Sequence, residues 1–316
     1  MTGRAQATAF APGSVGNVAV GFDILGHSVG VVGDRVRAAR VPARGVAISA
    51  ITGAVTSLPR DPQRNAASMA VLSLMDRLDL DYGFDLAIEK GIPLGSGLGG
   101  SAASAVAAVV AAAGLVQEPP DKLVLLKCAM KGEEAACGSA HVDNIAPSLF
   151  GGLVLTVGID DPYVKQIPVP AAIRCVLVRP HMELQTRVAR QVLLQTVTLS
   201  DVVWQQANLA GLIAGCYSGD LALIRASLQD VVIEPQRSRL IPGFEEVKAA
   251  AMRTGALGCS ISGGGPTVFA WCEEPQATTV AAAMAEAFRL HQLDVATWIT
   301  RIEPEGAHLI SSTPDA

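Results

Sequence analysis

The chain has 316 residues, of which 50% are apolar, 17% charged and 4% aromatic, and its formal net charge is −5 at pH 7. This length predicts about two domains with a substantial core, and the apolar content excludes intrinsic disorder. The acidic balance, without a basic run to neutralise several phosphates, excludes a nucleic-acid-binding surface.

Hydropathy raises the question of a membrane, because its mean value is +0.38. The longest near-continuous apolar run, Ala102 to Val116, spans 15 residues. A membrane-spanning helix needs roughly 18 or more, so we expect a buried helix and no membrane partner. Residues 1 to 17 lack the apolar core of a secretory signal, and the six cysteines show no C-x-x-C pair. We therefore expect a cytoplasmic protein with reduced thiols.

The first half predicts helices around one strand and a glycine-rich loop. Apolar residues at helical spacing predict the first helix, with Asp61 and Pro62 as its start signal, and alternation of Phe84, Leu86 and Ile88 with polar residues predicts the strand. The predicted elements are, in chain order, a helix over 65–78, a strand over 84–89, a glycine loop over 93–104, an alanine-rich helix to Val116 and a helix over 121–137.

The second half predicts the same mixture without repeating the sequence. Strands are expected near 153–157, 176–178 and 295–302, with a strand, glycine loop and strand over 259–272, and helices near 186–196, 199–215, 220–232 and 275–290. Strands occur in pairs between helices rather than in strict alternation with them. This order favours an α+β fold over a doubly wound parallel sheet. We place the domain boundary between residues 160 and 161, with the glycine loop in the first domain and the second completing a cleft.

The loop PLGSGLGGSAAS, Pro93 to Ser104, is the most informative segment. Its glycines stand directly before a helix, where backbone N–H groups and the helix N-terminus favour an anion such as phosphate. Gly95 to Gly100 also fits the dinucleotide-binding pattern G-x-G-x-x-G, but Pro119 and Pro120 occupy the region where that fold places its next strand. A Walker loop needs Lys where Ser101 stands. A glycine turn without a ligand is the remaining alternative.

This loop resembles the P-x-x-x-G-L-G-S-S-A-A motif of the GHMP kinases, with Gly100 in place of the usual Ser. The resemblance implies a two-domain fold, with an N-terminal domain like ribosomal S5 domain 2 and a ferredoxin-like C-terminal domain. It also implies ATP and Mg²⁺ as cofactors, with the Ser101 hydroxyl reaching the metal. A second glycine motif of that family is present as ISGGGPTVFA, Ile261 to Ala270. The implied ATP-binding residues are Asn65, Pro93, Leu94, Gly95, Ser96, Gly97, Leu98, Gly99, Gly100, Ser101, Ala102 and Ala103.

Further segments resemble the homoserine kinases within this superfamily. APGSVGNVAVGFDILG, Ala11 to Gly26, is similar to their N-terminal motif and retains Asn17 and Asp23. GEEAACGSAHVDNIAPSLFGG, Gly132 to Gly152, resembles their H-x-D-N-x-A-P stretch. The resemblance places Glu133 with Ser101 as Mg²⁺ ligands, and Glu134 is the alternative on spacing alone. It places His141 near the substrate, and Asp143 and Asn144, with Ser101 and Glu133, among the catalytic residues.

The remaining implied residues bind an amino-acid substrate. Its ammonium needs an acceptor, which Asp23 with Asn17 would supply, and its carboxylate needs paired donors, which arginine supplies best. TRVARQVLL, Thr186 to Leu194, and DVVIEPQRSRLIPG, Asp230 to Gly243, resemble the family's arginine motifs. We expect Arg187 and Arg239 to be surface charges. The implied substrate-binding residues are Asn17, Asp23, His141, Thr186, Arg190, Arg237 and Gly264.

The resemblance implies ATP-dependent phosphorylation of L-homoserine to O-phospho-L-homoserine, a step of threonine biosynthesis, by a protein that forms a homodimer. Asp143 aligns with the catalytic base of related mevalonate kinases, but we expect no dedicated base here. Two alternatives remain: another GHMP small-molecule kinase such as mevalonate kinase, and a nucleotide-binding regulatory protein that has lost catalysis.

Overall fold

Two sheets with helices packed on them make up the fold. The computed structural model describes residues 5–158, 161–302 and 305–313, without the side chains of residues 136 and 137. The strands are β1 (Gln6–Gly16), β2 (Leu25–Val41), β3 (Val46–Gly53), β4 (Gly83–Lys90), β5 (Leu153–Val157), β6 (Tyr163–Ile167), β7 (Ile173–Pro180), β8 (Gly258–Ile261), β9 (Val268–Glu273), β10 (Val295–Thr300) and β11 (His308–Thr313). The helices are α1 (Ala66–Arg77), α2 (Gly100–Ala113), α3 (Lys122–Cys137), α4 (Val142–Phe150), α5 (Thr186–Gln191), α6 (Leu199–Ser218), α7 (Leu221–Ser227), α8 (Glu234–Arg237), α9 (Phe244–Arg253) and α10 (Ala277–Leu290).

The larger sheet has seven strands. Five follow the order β11-β1-β2-β4-β3, and β5 pairs with the start of the long strand β2 and with β6. The pair β3 and β4 is parallel and the other pairs are antiparallel. Helices α1 to α4 cover this sheet and enclose the larger hydrophobic core.

The smaller sheet has the order β10-β7-β9-β8, with antiparallel pairs. In chain order, helices lie between β7 and β8 and between β9 and β10. This sequence of elements, with this strand order, is that of a ferredoxin-like β-α-β-β-α-β unit. Helices α9 and α10 cover it and enclose a second core around Phe244, Val247, Met284 and Phe288. The predicted α+β fold with two units is confirmed.

Sheet pairing does not follow the boundary expected at residues 160 and 161. Strand β6 lies after that boundary and pairs with β5 of the larger sheet. Strand β11, at the end of the chain, pairs with β1. The chain therefore leaves the larger sheet after β6, builds the smaller sheet and returns for one strand.

Helix α2 is the alanine-rich helix expected from the apolar run. It begins at Gly100 after Gly99, whose φ of 67° is left-handed and suits glycine. Eleven of its residues are buried, and it packs against α1, α3, α4, β1 and β2. Small side chains allow this close approach from several directions. The helix thus lies inside the first unit, with its N-terminus at the glycine loop.

Three predicted helix boundaries are wrong, and one of them is the end of the helix expected over 220–232, which stops at Ser227 as α7. Asp61 caps a short 3-10 helix, Pro62–Arg64, through Gln63, while α1 begins after Asn65, whose side chain accepts a hydrogen bond from the Ala67 amide. Asn and Asp are both common helix caps, so composition alone did not separate them. The helix expected over 186–196 is the shorter α5, which ends at Gln191.

The helices and the cysteines bear on two expectations, that no segment crosses a membrane and that the thiols are reduced. No helix in the ranges that the structure covers is long and apolar enough to cross a membrane. Cys128, Cys175, Cys216, Cys259 and Cys272 are buried free thiols, and burial raises the pKa of each. The predicted sixth thiol, Cys137, lies outside the described side chains.

His27 joins the two sheets and supports a prediction about acid stability. Its Nδ1 lies 3.1 Å from the Ser28 carbonyl, and its Nε2 accepts a hydrogen bond of 3.2 Å from the Trp271 indole of the smaller sheet. Complete burial lowers the pKa of His27 from 6.5 to about 4. Between these pH values the unfolded chain binds the proton and the folded protein does not, so stability falls as the pH falls.

We expect His27 to account for about 3 kcal/mol of lost stability between pH 6.5 and pH 4. Urea unfolding across this range measures it. The His27→Gln variant should show a shallower loss, while His181→Gln, which changes an exposed histidine, should follow the wild type. Equal pH dependence in all three proteins would contradict the assignment.

Candidate active site

A cleft of about 520 Å³ lies between the two units, and the glycine loop forms one wall. Side chains from both halves of the chain line it. They include Asn17, Asp23, Asn65, Ser101, Glu133, His141, Asp143, Asn144, Thr186, Arg190, Arg237 and Gly264. All the predicted catalytic, substrate-binding and metal-binding residues therefore lie around one cavity.

The glycine loop needs glycine at three positions. Gly95, Gly97 and Gly99 have φ values of 57°, 76° and 67°, in the left-handed region. A Cβ on Gly97 would lie 2.6 Å from the Ser262 carbonyl oxygen, and one on Gly99 would lie 2.2 Å from Ser14 Oγ. The loop thus combines a left-handed backbone with close neighbours, and it leads into the N-terminus of α2, where the helix dipole attracts anions.

The second glycine motif packs against this loop. Ser262 Oγ donates a hydrogen bond of 2.7 Å to the Gly97 carbonyl, and Thr267 Oγ1 donates one of 2.6 Å to the Ser96 carbonyl. The Leu184 amide also donates to the Gly95 carbonyl at 3.1 Å. Three residues from the second half of the chain therefore hold the glycine loop.

Glu133 and Ser101 lie together beside the loop. Ser101 Oγ donates to Glu133 Oε1 at 3.0 Å, and His141 Nδ1 lies 3.0 Å from the same oxygen. Burial lowers the pKa of His141, but the hydrogen bond and charge of Glu133 outweigh it, so its pKa is raised. Glu133 is 3% exposed, whereas Glu134 is exposed and pairs with Lys131. Adjacent helical residues face different directions, and Glu133 is the one that faces the cleft.

The Glu133 carboxylate suits a metal that also binds phosphate. Its Oε2 atom is buried and has no hydrogen-bond partner in the structure. Within the described ranges, no group of three or more His, Cys, Asp and Glu side chains is arranged to hold a metal. Mg²⁺ does not need such a group, because it commonly takes one or two protein oxygens and completes its shell with phosphates and water. Ser101 Oγ and Glu133 Oε2 fit that donor set.

Asp143 and Asn144 begin helix α4 at the bottom of the cleft. Asp143 Oδ2 accepts a hydrogen bond of 3.1 Å from the backbone amide of Asn17, and Asn144 Oδ1 accepts one of 2.9 Å from Ser14 Oγ. Asp143 is 1% exposed, and burial, with the nearby charge of Asp23, raises its pKa to about 6. Its Oδ1 has no partner among the described atoms. Burial therefore makes the charged form of the Asp143 carboxyl group less favourable than that of an exposed aspartate.

Asp23 and Arg190 form an ion pair that the sequence analysis did not predict. Arg190 donates two parallel hydrogen bonds to the Asp23 carboxylate, of 2.9 Å and 2.7 Å, although 167 positions separate the residues. Both side chains are partly exposed to the cleft. Asn17 Oδ1 accepts the Asp23 amide at 3.1 Å, and Asn17 Nδ2 donates to the Gly263 carbonyl at 3.0 Å. A negative and a positive group thus lie side by side in the cleft.

Arg237 is a second cation at this end, and it is 3% exposed. Its Nε donates to the Ala189 carbonyl and its Nη1 to the Gly263 carbonyl, each at 2.9 Å. The guanidinium groups of Arg190 and Arg237 lie 5.3 Å and 5.2 Å from the centre of the Phe22 ring. Burial, followed by the charge of Arg190, lowers the pKa of Arg237. Both guanidinium groups thus contact the same aromatic ring.

Some predicted residues lie in the site differently from expectation. Leu98, Ala102 and Ala103, expected to contact ATP, are fully buried and do not line the cleft. Asn65 lines the cleft, but its Nδ2 already donates a hydrogen bond to the Pro59 carbonyl and its Oδ1 accepts one from the Ala67 amide. Arg239 is exposed as expected.

The structure also brings in residues that the sequence analysis missed. Arg187 is exposed but lines the cleft, and so do Lys90 and Ser104 beneath the glycine loop. Lys90 carried a usable signal: it continues the alternation of Phe84, Leu86 and Ile88, all of which face the core. A lysine in that phase of a strand indicates a buried charge with a partner.

Comparison with known proteins agrees with this site. The family "GHMP kinases N terminal domain" matches residues 65–152 and the family "GHMP kinases C terminal" matches residues 212–290. A homoserine kinase of Xylella fastidiosa strain 9a5c is 48% identical over 306 residues, which cover 96% of this chain and 94% of that protein. This chain belongs to the homoserine kinase family.

Two further homoserine kinases extend the comparison. That of Xanthomonas campestris pv. campestris strain B100 is 47% identical over 98% of this chain and 95% of its own length. The crystal structure of homoserine kinase from Cytophaga hutchinsonii matches with a TM-score of 0.93 and 42% identity, over 96% of this chain and 97% of that one. The family assignment therefore covers both units of this homoserine kinase and the cleft between them.

Proposed function

We propose that this homoserine kinase transfers the γ-phosphoryl group of ATP to the hydroxyl of L-homoserine in the cleft, and that the residues assigned above do this work. The observation that carries the proposal is the arrangement along the cleft. The glycine loop, at the N-terminus of α2, lines one part of the cleft. The charged side chains of Asp23, Arg190 and Arg237 line another part. These features match the polyanion and the zwitterion that the reaction brings together.

The ATP phosphates would bind along Gly95 to Ser101. Backbone N–H groups and the dipole of α2 would stabilise the negative charge that the phosphoryl group carries during transfer. The contacts from Ser262, Thr267 and Leu184 support this role, because they hold the loop in place before the nucleotide arrives. Positioning of this kind, together with charge neutralisation, is what phosphoryl transfer requires most.

Ser101 and Glu133 would hold Mg²⁺. When bound there, the metal would neutralise charge on the phosphate oxygens. The unpartnered Oε2 atom of Glu133 supports this proposal, because a buried carboxylate oxygen without a donor is costly unless a ligand completes it. His141 would keep Glu133 oriented through the hydrogen bond to Oε1.

L-Homoserine would bind with its ammonium at Asp23 and its carboxylate at Arg190 and Arg237. The ion pair between Asp23 and Arg190 supports this orientation, because the two charges of the zwitterion complement the two charges of the pair. We also propose that the enzyme is a homodimer, from the family resemblance alone, and that it is cytoplasmic, because its described cysteines are buried free thiols. Light scattering during size-exclusion chromatography tests the oligomeric state.

A substrate panel tests the proposed function. Release of ADP should be measured by a coupled assay with homoserine, mevalonate, galactose and shikimate at one enzyme concentration. Homoserine should give the signal, and activity with another substrate but not with homoserine would overturn the proposal.

Asp23→Asn should raise the KM for homoserine by about 10-fold or more and leave the KM for ATP within twofold, because only homoserine carries the ammonium. Mevalonate has no ammonium, so a mevalonate kinase would tolerate this substitution.

We expect the proton of the homoserine hydroxyl to pass to the phosphate rather than to a dedicated base. Asp143→Ala should therefore keep substantial turnover, with kcat reduced less than about 10²-fold. Loss of a general base typically lowers the rate by about 10²- to 10⁴-fold. Protonation of Asp143 as the pH falls through about 6 should then lower wild-type kcat/KM no more than Asp143→Asn does, and by less than about 10²-fold. A loss of about 10⁴-fold with unchanged substrate affinity would identify Asp143 as a base.

A further inference from the structure

A buried charge cluster lies directly beneath the glycine loop, and the proposed mechanism does not use it. The cluster consists of Asp34, Lys90 and Ser104, which are 0%, 5% and 5% exposed. Lys90 Nζ forms an ion pair with Asp34 Oδ2 and donates hydrogen bonds to Ser104 Oγ at 2.8 Å and to the Gly100 carbonyl at 2.7 Å. All three donors of the ammonium are therefore occupied.

Asp34 is equally well satisfied. Its Oδ1 accepts the amides of Gly91 and Ile92 at 3.0 Å and 3.2 Å, and its Oδ2 accepts Ser104 Oγ at 2.6 Å in addition to Lys90. Asp34 lies on β2, Lys90 ends β4, and Ser104 is in the second turn of α2. The cluster therefore joins three elements of the first unit.

These contacts hold both ends of the glycine loop. Gly91 and Ile92 precede the loop and Gly100 lies where the loop passes into α2, and each has a backbone atom bonded to the Asp34 and Lys90 pair. A Cβ on Gly100 would lie 3.1 Å from Ile92 Cγ2 and 3.6 Å from Lys90 Nζ. The ion pair of Asp34 and Lys90 thus fixes the distance between the two ends of the loop. Gly100, where the family usually has Ser, fits the space beside Ile92 and Lys90.

A buried ion pair is weak as a device for stability, because removing two charges from water costs about as much as their attraction returns. We propose that the Asp34, Lys90 and Ser104 cluster positions the glycine loop for the ATP phosphates, with Lys90 as the positioning residue. The inference rests on the proposed binding of ATP at this loop. It predicts that the cluster sets affinity for the phosphates and leaves affinity for the nucleoside unchanged.

The test removes both charges together, since Lys90→Met alone would leave Asp34 buried and unpaired. The double variant Lys90→Met, Asp34→Asn keeps an oxygen for the Gly91 and Ile92 amides. Its matched control is Arg35→Met, Glu89→Gln, which removes an exposed ion pair from the neighbouring positions of the same two strands. Urea unfolding establishes that each variant is folded. The KM for ATP, the KM for homoserine and the inhibition constant of adenosine are then measured.

We expect the double variant to raise the KM for ATP at least 10-fold, with the other two constants within twofold of wild type and the surface control unchanged. Ser104→Ala, which keeps the ion pair, should raise the KM for ATP about threefold and provides the test if the double variant does not fold. A KM for ATP within twofold of wild type in whichever of these variants folds would overturn the inference. A parallel weakening of adenosine would also overturn it, because Lys90 would then contact the nucleoside. Failure of the proposed function is distinguishable, since the wild type itself would not turn over homoserine.

Discussion

Replacing Glu133 by glutamine is expected to lower kcat/KM for ATP by about 10³-fold, which corresponds to about 4 kcal/mol. The substitution keeps the size of the side chain and its contacts with Ser101 and His141 but removes the negative charge from a buried position. A neutral amide oxygen attracts a divalent cation much less than a carboxylate does. Steady-state rates across a series of Mg²⁺ concentrations measure the effect, and the variant should need far more Mg²⁺ for half-maximal rate.

Glu134→Gln is the matched control for this prediction. Glu134 is the next residue on the same helix, is exposed and pairs with Lys131 at 2.9 Å. Its substitution should change kcat/KM for ATP by less than twofold, because an exposed pair of this kind contributes little. If the two variants lose activity equally, or if Glu133→Gln keeps the wild-type dependence on Mg²⁺, the assignment of Glu133 as a metal ligand is wrong.

Replacing Arg237 by lysine is expected to raise the KM for homoserine by about 10²-fold, or close to 3 kcal/mol, and to leave the KM for ATP nearly unchanged. Lysine keeps the charge but not the planar guanidinium. The wild-type side chain uses its Nε and Nη1 atoms to bond the Ala189 and Gly263 carbonyls. Its remaining nitrogen then has a defined direction in the cleft, and lysine cannot reproduce this arrangement.

Arg239→Lys provides the comparison, since Arg239 is two residues further along and exposed. It should behave as wild type with both substrates. Binding of homoserine to the ATP-free variants by calorimetry separates lost affinity from slower chemistry. An Arg237→Lys variant with wild-type homoserine affinity but reduced kcat would show that Arg237 does not bind the substrate carboxylate.

Much of the fold was predictable where one face of an element is buried. The alternation in β4 and the small apolar residues of α2 predicted a strand and a buried helix, and both are present. The long strand β2 was not predicted, because it changes pairing partner along its length, with β5 near Leu25 and with β4 beyond Arg35. A strand whose environment changes along its length does not keep a simple period of two.

The site was predictable to the extent that its residues fall in short motifs. Motif resemblance located Asp23 and Arg190 individually, but it assigned them to opposite ends of the substrate. Their ion pair depends on the packing of one unit against the other, which no local pattern describes. Asp34 shows the same limit, because its partners come from β4 and α2.

The last strand has a consequence for how the molecule is made. Strand β11 covers the outer edge of β1, with Gln6 opposite Thr313 and Phe10 opposite His308. A chain emerging from the ribosome exposes that edge until residues 308–313 are synthesised, although the strands of the smaller sheet are already made. An open edge strand is a template for pairing with other chains. Chains that stop before β11 should therefore aggregate through β1, and a chain that includes β11 closes that edge itself.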